Sequence, residues 1–163
     1  MATLKSRTAG FNLLEMLVAL LVLSVGLLGV TSLQLKGQQT NHLSYVRTQV
    51  TYLAYDLMER IRANNNSKTG LYANVGECST AVNQLSTLRN KCESNSSPCS
   101  WNEIAQYDLA LWCDMVRKSL PEGTGECCQW DSTNLQYTFT IGWVEKVDED
   151  PKVADWTIMI PDI

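Results

Sequence analysis

Between Phe11 and Leu35 the chain carries a single charged residue, Glu15, in 25 residues. A bilayer core is spanned by about 20 predominantly apolar residues, so this run is long enough to cross one. The ten residues before it, MATLKSRTAG, hold Lys5 and Arg7 and no acid. Basic residues flanking an apolar span stay on the cytoplasmic side, which places the rest of the chain in the periplasm or outside. A secretory signal peptide fits poorly, because its cleavage site follows the apolar region at small residues. The sequence after Val30 is TSLQLKGQQT, with no A-x-A-like tripeptide. A plain anchor fits the length but leaves Glu15 unexplained. An acid at the centre of a span costs about 2.5–3.5 kcal/mol on translocon scales, less near its edge, and calls for a partner.

The residues around Glu15 resemble the class III signal of type IV pilins. A short basic leader ends in Gly10, and Phe11-Asn12-Leu13-Leu14-Glu15 follows, with Met16-Leu17-Val18-Ala19-Leu20 behind it. The resemblance implies cleavage between Gly10 and Phe11 by a prepilin peptidase, which then methylates the new amino group of Phe11. It also implies a role for Glu15, at the fifth mature position: pairing with the N-terminal amine of a neighbouring subunit. Four residues of helix separate the amine from the acid, about 6 Å of rise. Such pairing lowers the cost of holding both charges in an apolar filament core.

Helical periodicity continues past the apolar run. Leu43, Val46, Val50, Leu53, Ala54, Leu57 and Ile61 recur at three- and four-residue intervals, with Arg60 and Arg62 in the last turn before Asn64-Asn65-Asn66-Ser67. Phe11 to Arg62 is 52 residues, or about 78 Å as continuous helix. The reading is a leader at 1–10, a transmembrane or filament-core half at 11–35, an amphipathic periplasmic half at 36–63 and a globular head at 64–163. Where many major pilins have proline, this chain has Ser32, so no kink is specified there; Gly26 and Gly29 are the looser points of the helix. His42 lies on a polar turn near the junction and reads as a surface or packing residue.

In the head, residues 64–100 are rich in Asn and Ser and read as a connecting region with a short helix around Val82–Leu88. Ser100-Trp101-Asn102-Glu103 matches a capping box. A helix is expected over 101–119, with Ile104, Tyr107, Leu111 and Met115 as its apolar stripe, widened by Trp112 and Val116; Pro121, Gly123 and Gly125 stop it. Leu135, Tyr137, Phe139, Ile141 and Trp143 alternate with small polar residues as a half-buried strand. Trp156, Ile158 and Ile160 repeat the pattern beyond an acidic loop at Glu145–Lys152, suggesting a hairpin, and Glu126–Asp131 makes a third strand. The expected fold class is α+β: a type IV pilin fold, with the long N-terminal helix packed on a small antiparallel sheet head carrying a second helix and disulfides.

All six cysteines, Cys78, Cys92, Cys99, Cys113, Cys127 and Cys128, lie after the apolar run. An even number in an exported segment reads as structural disulfides. Neighbouring strand residues point to opposite faces, so Cys127 and Cys128 are not expected to bond each other, and one of them is the natural partner of Cys113. The connectivity otherwise stays open.

Composition removes several function classes. The formal charge is −4 with no basic block. Removing Lys5 and Arg7 with the leader takes it to −6, apart from the new amino terminus, so direct nucleic-acid binding is not expected. With His42 as the lone histidine, a catalytic triad or multi-histidine metal site has no material. No nucleophile–base pair, phosphate loop or C-x-x-C appears, so the chain reads as no enzyme, with no cofactor and no metal. The acidic loop has the carboxylates that suit Ca²⁺ but not the spacing of a known loop.

The later motifs are similar to the PilV type of minor pilin, the type IV pilus modification proteins. They are Leu120-Pro121-Glu122-Gly123-Thr124-Gly125, the strand ending in Trp143, the run Leu20–Leu28 and Leu57-Met58-Glu59-Arg60-Ile61-Arg62-Ala63-Asn64. This resemblance covers both ends of the chain but not 65–100. It implies a minor pilin that acts in pilus assembly initiation with other minor pilins and the major pilin, at or near the tip. The chain would sit in the inner membrane and then in the filament. The alternative is a pseudopilin of type II secretion, which shares the N-terminal logic.

Overall fold

In the computed structural model, residues 13–64, 70–73, 78–94, 98–147 and 150–160 are described. The expected cleavage site at Gly10 and Phe11 lies outside them. The elements in chain order are α1 (Leu13–Ala63), α2 (Cys78–Cys92), α3 (Trp101–Ser119), β1 (Thr124–Asp131), β2 (Gln136–Val147) and β3 (Asp150–Ile160). The chain divides into two units, Met1–His42 and Leu43–Ile163. The described part of the first is helix throughout.

The second unit is the α+β head. From α1 it takes the stripe Val46, Val50, Leu53, Ala54, Leu57 and Ile61, all buried, as their three- and four-residue spacing requires. The sheet has the order β1-β2-β3 with both pairings antiparallel. Tyr137, Phe139, Ile141 and Trp143 are buried on one face of β2, with Ile160, Ile158, Trp156 and Ala154 opposite them on β3.

Helix α3 begins where the capping box places it. The Glu103 backbone N–H donates to Ser100 Oγ at 3.4 Å, and the Ser100 N–H donates to Glu103 Oε2 at 3.0 Å. Two of the four donors left open by the first turn are thereby satisfied. Its buried face differs from the expected stripe. Ala105, Asp108, Leu109, Trp112, Cys113 and Val116 are inside, while Ile104, Tyr107, Leu111 and Met115 are half-buried. Hydrophobicity alone centred the stripe too far round, because the helix turns a carboxylate inward at Asp108.

Three further differences have local causes. The region read as mostly loop contains the 15-residue α2, which buries Cys78, Ala81, Leu85 and Leu88; its small and polar residues concealed a narrow stripe with helical spacing. Leu135 is in the turn before β2 with φ at 51°, and is exposed rather than the first inward residue of the strand. The acidic segment is largely strand: β2 and β3 pair as far as Val147 and Asp150, with Glu145 opposite Lys152. Asp148 and Glu149 lie outside the described residues.

Trp112 ties the layers together. Its ring is fully buried, its Nε1–H donates to the Leu53 carbonyl of α1 at 2.9 Å, and it meets Phe139 of β2 edge-to-face at 5.7 Å. Gly125 of β1 lies against the same ring, where an added Cβ would stand 2.8 Å from Cζ3 and 2.9 Å from Cys78 Sγ. Gly125→Ala is therefore expected to destabilise the head by about 1–3 kcal/mol through overpacking. Denaturant unfolding of the full chain in detergent, followed by tryptophan fluorescence, measures this. Gly37→Ala, where a Cβ meets nothing within 4 Å, should show no loss.

Candidate assembly site

The first unit presents an exposed apolar helical surface. Leu13, Leu14, Leu17, Leu20, Leu21, Leu23, Leu27 and Leu28 are all exposed. An 18-residue window of α1 reaches a mean hydropathy of 2.5 with none of it buried, enough in length and composition to cross a membrane. Two hydroxyls of the apolar run are satisfied internally: Ser24 Oγ donates to the Leu20 carbonyl at 2.7 Å and Thr31 Oγ1 to the Leu27 carbonyl at 2.9 Å. Such back-bonding to the preceding turn lets a helix carry hydroxyls in an apolar medium. Glu15 is exposed on this helix, and its carboxylate is the charge such a medium must accommodate.

The head holds two ionic clusters that sequence reasoning missed. In the first, Arg47 of α1 grips Glu145 of β2 with two parallel bonds, Nε to Oε1 at 3.0 Å and Nη2 to Oε2 at 3.1 Å. Trp143 Nε1–H donates to the same Oε1 at 3.1 Å. The carboxylate side chain is 8% exposed and the arginine 67%, so the guanidinium caps a buried acid from the solvent side. Arg47 bonding, with help from Trp143, holds the Glu145 carboxyl below the usual carboxylate range. A signal was present: Glu145 falls on the period-two face that includes Tyr137, Phe139, Ile141 and Trp143.

In the second cluster, Arg60 of α1 donates to Asp56 Oδ2 at 2.8 Å and to Asp108 Oδ1 of α3 at 3.1 Å. The Tyr72 hydroxyl donates to Asp108 Oδ2 at 2.8 Å and accepts from Asn64 Nδ2 at 3.3 Å. Burial first, and then the Asp108 charge, push the Tyr72 phenol well above its ordinary value. It therefore remains a donor to Asp108 at any physiological pH. This network satisfies Asp108 and Asn64, two of the buried polar side chains in the head, as buried polar groups require.

The cysteines form three pairs: Cys78 with Cys113, Cys92 with Cys99, and Cys127 with Cys128. The first joins the start of α2 to α3, and the second joins the end of α2 to the segment before α3. The expectation that Cys113 pairs with Cys127 or Cys128, and that those two stay apart, is corrected. Alternation of side chains presumes a regular ladder, whereas the β1–β2 register shifts between Glu126 and Gln129. Cys113 instead finds Cys78, on the helix packed beside it. Among the described residues no group of three or more His, Cys, Asp or Glu is placed to hold a metal ion. His42 is exposed.

A long N-terminal helix, two further helices, a three-stranded antiparallel sheet and disulfides are consistent with a type IV pilin fold. Residues 32–110, which are 79 of the 163, match the family model described as Tt1218-like, Type IV pilin Tt1218. The matched stretch runs from Ser32 of α1 through α2 into α3, and it supports a type IV pilin. That family is structural and not enzymatic. No match to a curated protein or to a solved structure reaches significance.

Because the Glu145 carboxyl is depressed in the folded chain, its contribution is present above the unfolded carboxylate value, about 4.3. It is lost as pH falls through the lower folded value. The unfolding midpoint should therefore drop as pH is lowered from about 5 to 3, and Glu145→Gln should flatten that part of the profile. Arg47→Met should lower the midpoint at pH 7, because it leaves the buried acid without its cation. Denaturant titrations of the full chain across this pH range check both outcomes.

Proposed function

We propose that the chain is a minor pilin of a type IV pilus, of the PilV type, acting with other minor pilins and the major pilin to initiate assembly at or near the filament tip. Residues 1–10 are its leader, removed by a prepilin peptidase between Gly10 and Phe11, with methylation of the new Phe11 amine. Residues 11–35 are the part held first in the inner membrane and then in the filament core. Residues 36–63 are the periplasmic half of the helix, and residues 64–163 form the head, which remains outside the membrane and meets neighbouring heads.

The observation that carries this reading is Glu15, the lone charge of a long apolar helix, five residues after Gly10. Helix-on-helix contact brings apolar surfaces together, and the acid is answered by the N-terminal amine of an adjacent subunit. The family match over residues 32–110 supports the coarser part of this reading, a type IV pilin, independently, since it does not include the N-terminal motif. The subunit's contribution is mechanical: it presents an apolar helix to other pilins and a disulfide-bonded head above it.

Mass spectrometry of the purified protein should find an N-terminal peptide that begins at Phe11 and carries one methyl group; a peptide retaining Met1–Gly10 would refute the processing step. Glu15→Ala should leave that peptide unchanged while lowering recovery of the protein in sheared pili by about ten-fold, the loss of roughly 1.4 kcal/mol of pairing. Deletion of the gene should abolish surface pili with type II secretion intact, and the wild-type copy should restore the pili. Normal pili with failed secretion would assign the chain to the pseudopilins instead.

A further inference from the structure

Of the three disulfides, Cys127–Cys128 contributes least to holding the head together. A disulfide stabilises a fold mainly by restricting the unfolded chain, and more so the longer the loop it closes. Cys78–Cys113 bridges 35 positions, Cys92–Cys99 bridges 7 and Cys127–Cys128 bridges 1. The first two also join separate segments, tying α2 at its start to α3 and at its end to the segment before α3. The third joins two residues that the backbone already holds together. Its value to the fold is therefore small, and its presence asks for a chemical reason.

The same adjacency makes the bond easier to open. Ordinary disulfides link Cα atoms about 4.4–6.8 Å apart, and bonds outside that range are more readily reduced. The other two pairs, at 5.1 and 5.0 Å, lie within it, whereas chain neighbours are never more than about 3.8 Å apart. Access adds to this for one of those pairs. Cys128 is 4% exposed and belongs to the core, but Cys127 is half-buried, while Cys78 and Cys113 are both buried. Cys92 and Cys99 are half-buried too, so against that pair the spacing makes the difference.

The surrounding ladder leaves room for such chemistry. Glu126 pairs with Thr140 and Gln129 with Thr138, so Cys127 and Cys128 together stand in the interval that holds Phe139 alone, and neither is paired across the ladder. A bulge of this kind, on an edge strand such as β1, sets residues aside from the regular pairing. The sulfurs can therefore exchange partners without a paired residue of the sheet being released.

We propose that Cys127–Cys128 is a thiol-exchange site, opened by a dithiol from outside the head while the fold stays intact. One thiolate of the dithiol attacks Cys127 Sγ, the more accessible sulfur; the S–S bond breaks, and Cys128 leaves as a thiolate that takes up a proton. The second thiol of the reductant then attacks the mixed disulfide and releases Cys127 as a thiol. Two electrons and two protons pass from the dithiol to the head, and the reductant departs as its disulfide. The inference concerns the head and does not depend on the assembly role proposed above, so a test without a pilus readout separates the two.

The test titrates the full chain in detergent with dithiothreitol, traps free thiols by alkylation and maps them by peptide mass spectrometry. Without reductant, the peptide that holds Cys127 and Cys128 should be closed on itself, two hydrogens lighter than the dithiol form. Both residues should become alkylated at a dithiothreitol concentration about ten-fold or more below that needed for the other four cysteines. Far-ultraviolet circular dichroism should be unchanged at that point. Replacing the pair, Cys127→Ala with Cys128→Ala, should lower the denaturation midpoint less than Cys78→Ala with Cys113→Ala. A bridge from Cys127 or Cys128 to another cysteine would overturn the proposal. So would earlier or simultaneous alkylation of Cys92 and Cys99, loss of helix signal as Cys127 and Cys128 open, or a midpoint that falls as far for the Cys127 and Cys128 replacement as for the other.

Discussion

The head depends on the placement of one indole. Trp112 bonds to a carbonyl of α1, stacks edge-on against β2, rests on the glycine of β1 and belongs to α3. A helix carbonyl normally accepts from the N–H four residues on, and its second lone pair is free for such a donor. The bond therefore adds to α1 without unwinding it. Around this point the apolar stripes of α1 and α3 and the inner face of β2 meet, and an aromatic edge-to-face pair contributes about 0.5–1.5 kcal/mol beyond the area it buries. The two ionic clusters lie on the same α1 helix, at Arg47 and Arg60. One reaches the sheet and the other reaches α3, so the helix is held to both of its partners by directional contacts as well as by apolar burial.

Much of this was legible in the chain. The α1 stripe from Val46 to Ile61, the capping box at Ser100 and Glu103, and the alternation from Tyr137 to Trp143 are local patterns in which each residue type states its environment. What escaped were residues whose environment is set by something distant in sequence. Asp108 reads as solvent-facing until Arg60 and Tyr72 are brought against it. Glu145 reads as part of a solvated acidic turn until Arg47, 98 positions earlier, closes on it. The cysteine pairing failed for the same reason: proximity of Cys78 and Cys113 follows from α2 lying beside α3, and α2 was itself hidden among polar residues.

The assembly site was legible in a different way. An apolar helix interrupted by one acid states its needs in composition alone, and no tertiary contact in the described chain was required to read it. In the pairing proposed for Glu15 the partner belongs to another subunit, and Phe11 lies outside the described residues, so the N-terminal motif carries that reading.

The back-bonded hydroxyls of Ser24 and Thr31 have a consequence for how such a helix travels. A segment whose hydroxyls are closed onto its own turns can exchange lipid for protein without making or breaking those bonds. In the transfer from membrane to filament proposed above, Glu15 is the one charge of the apolar run that meets the change of medium.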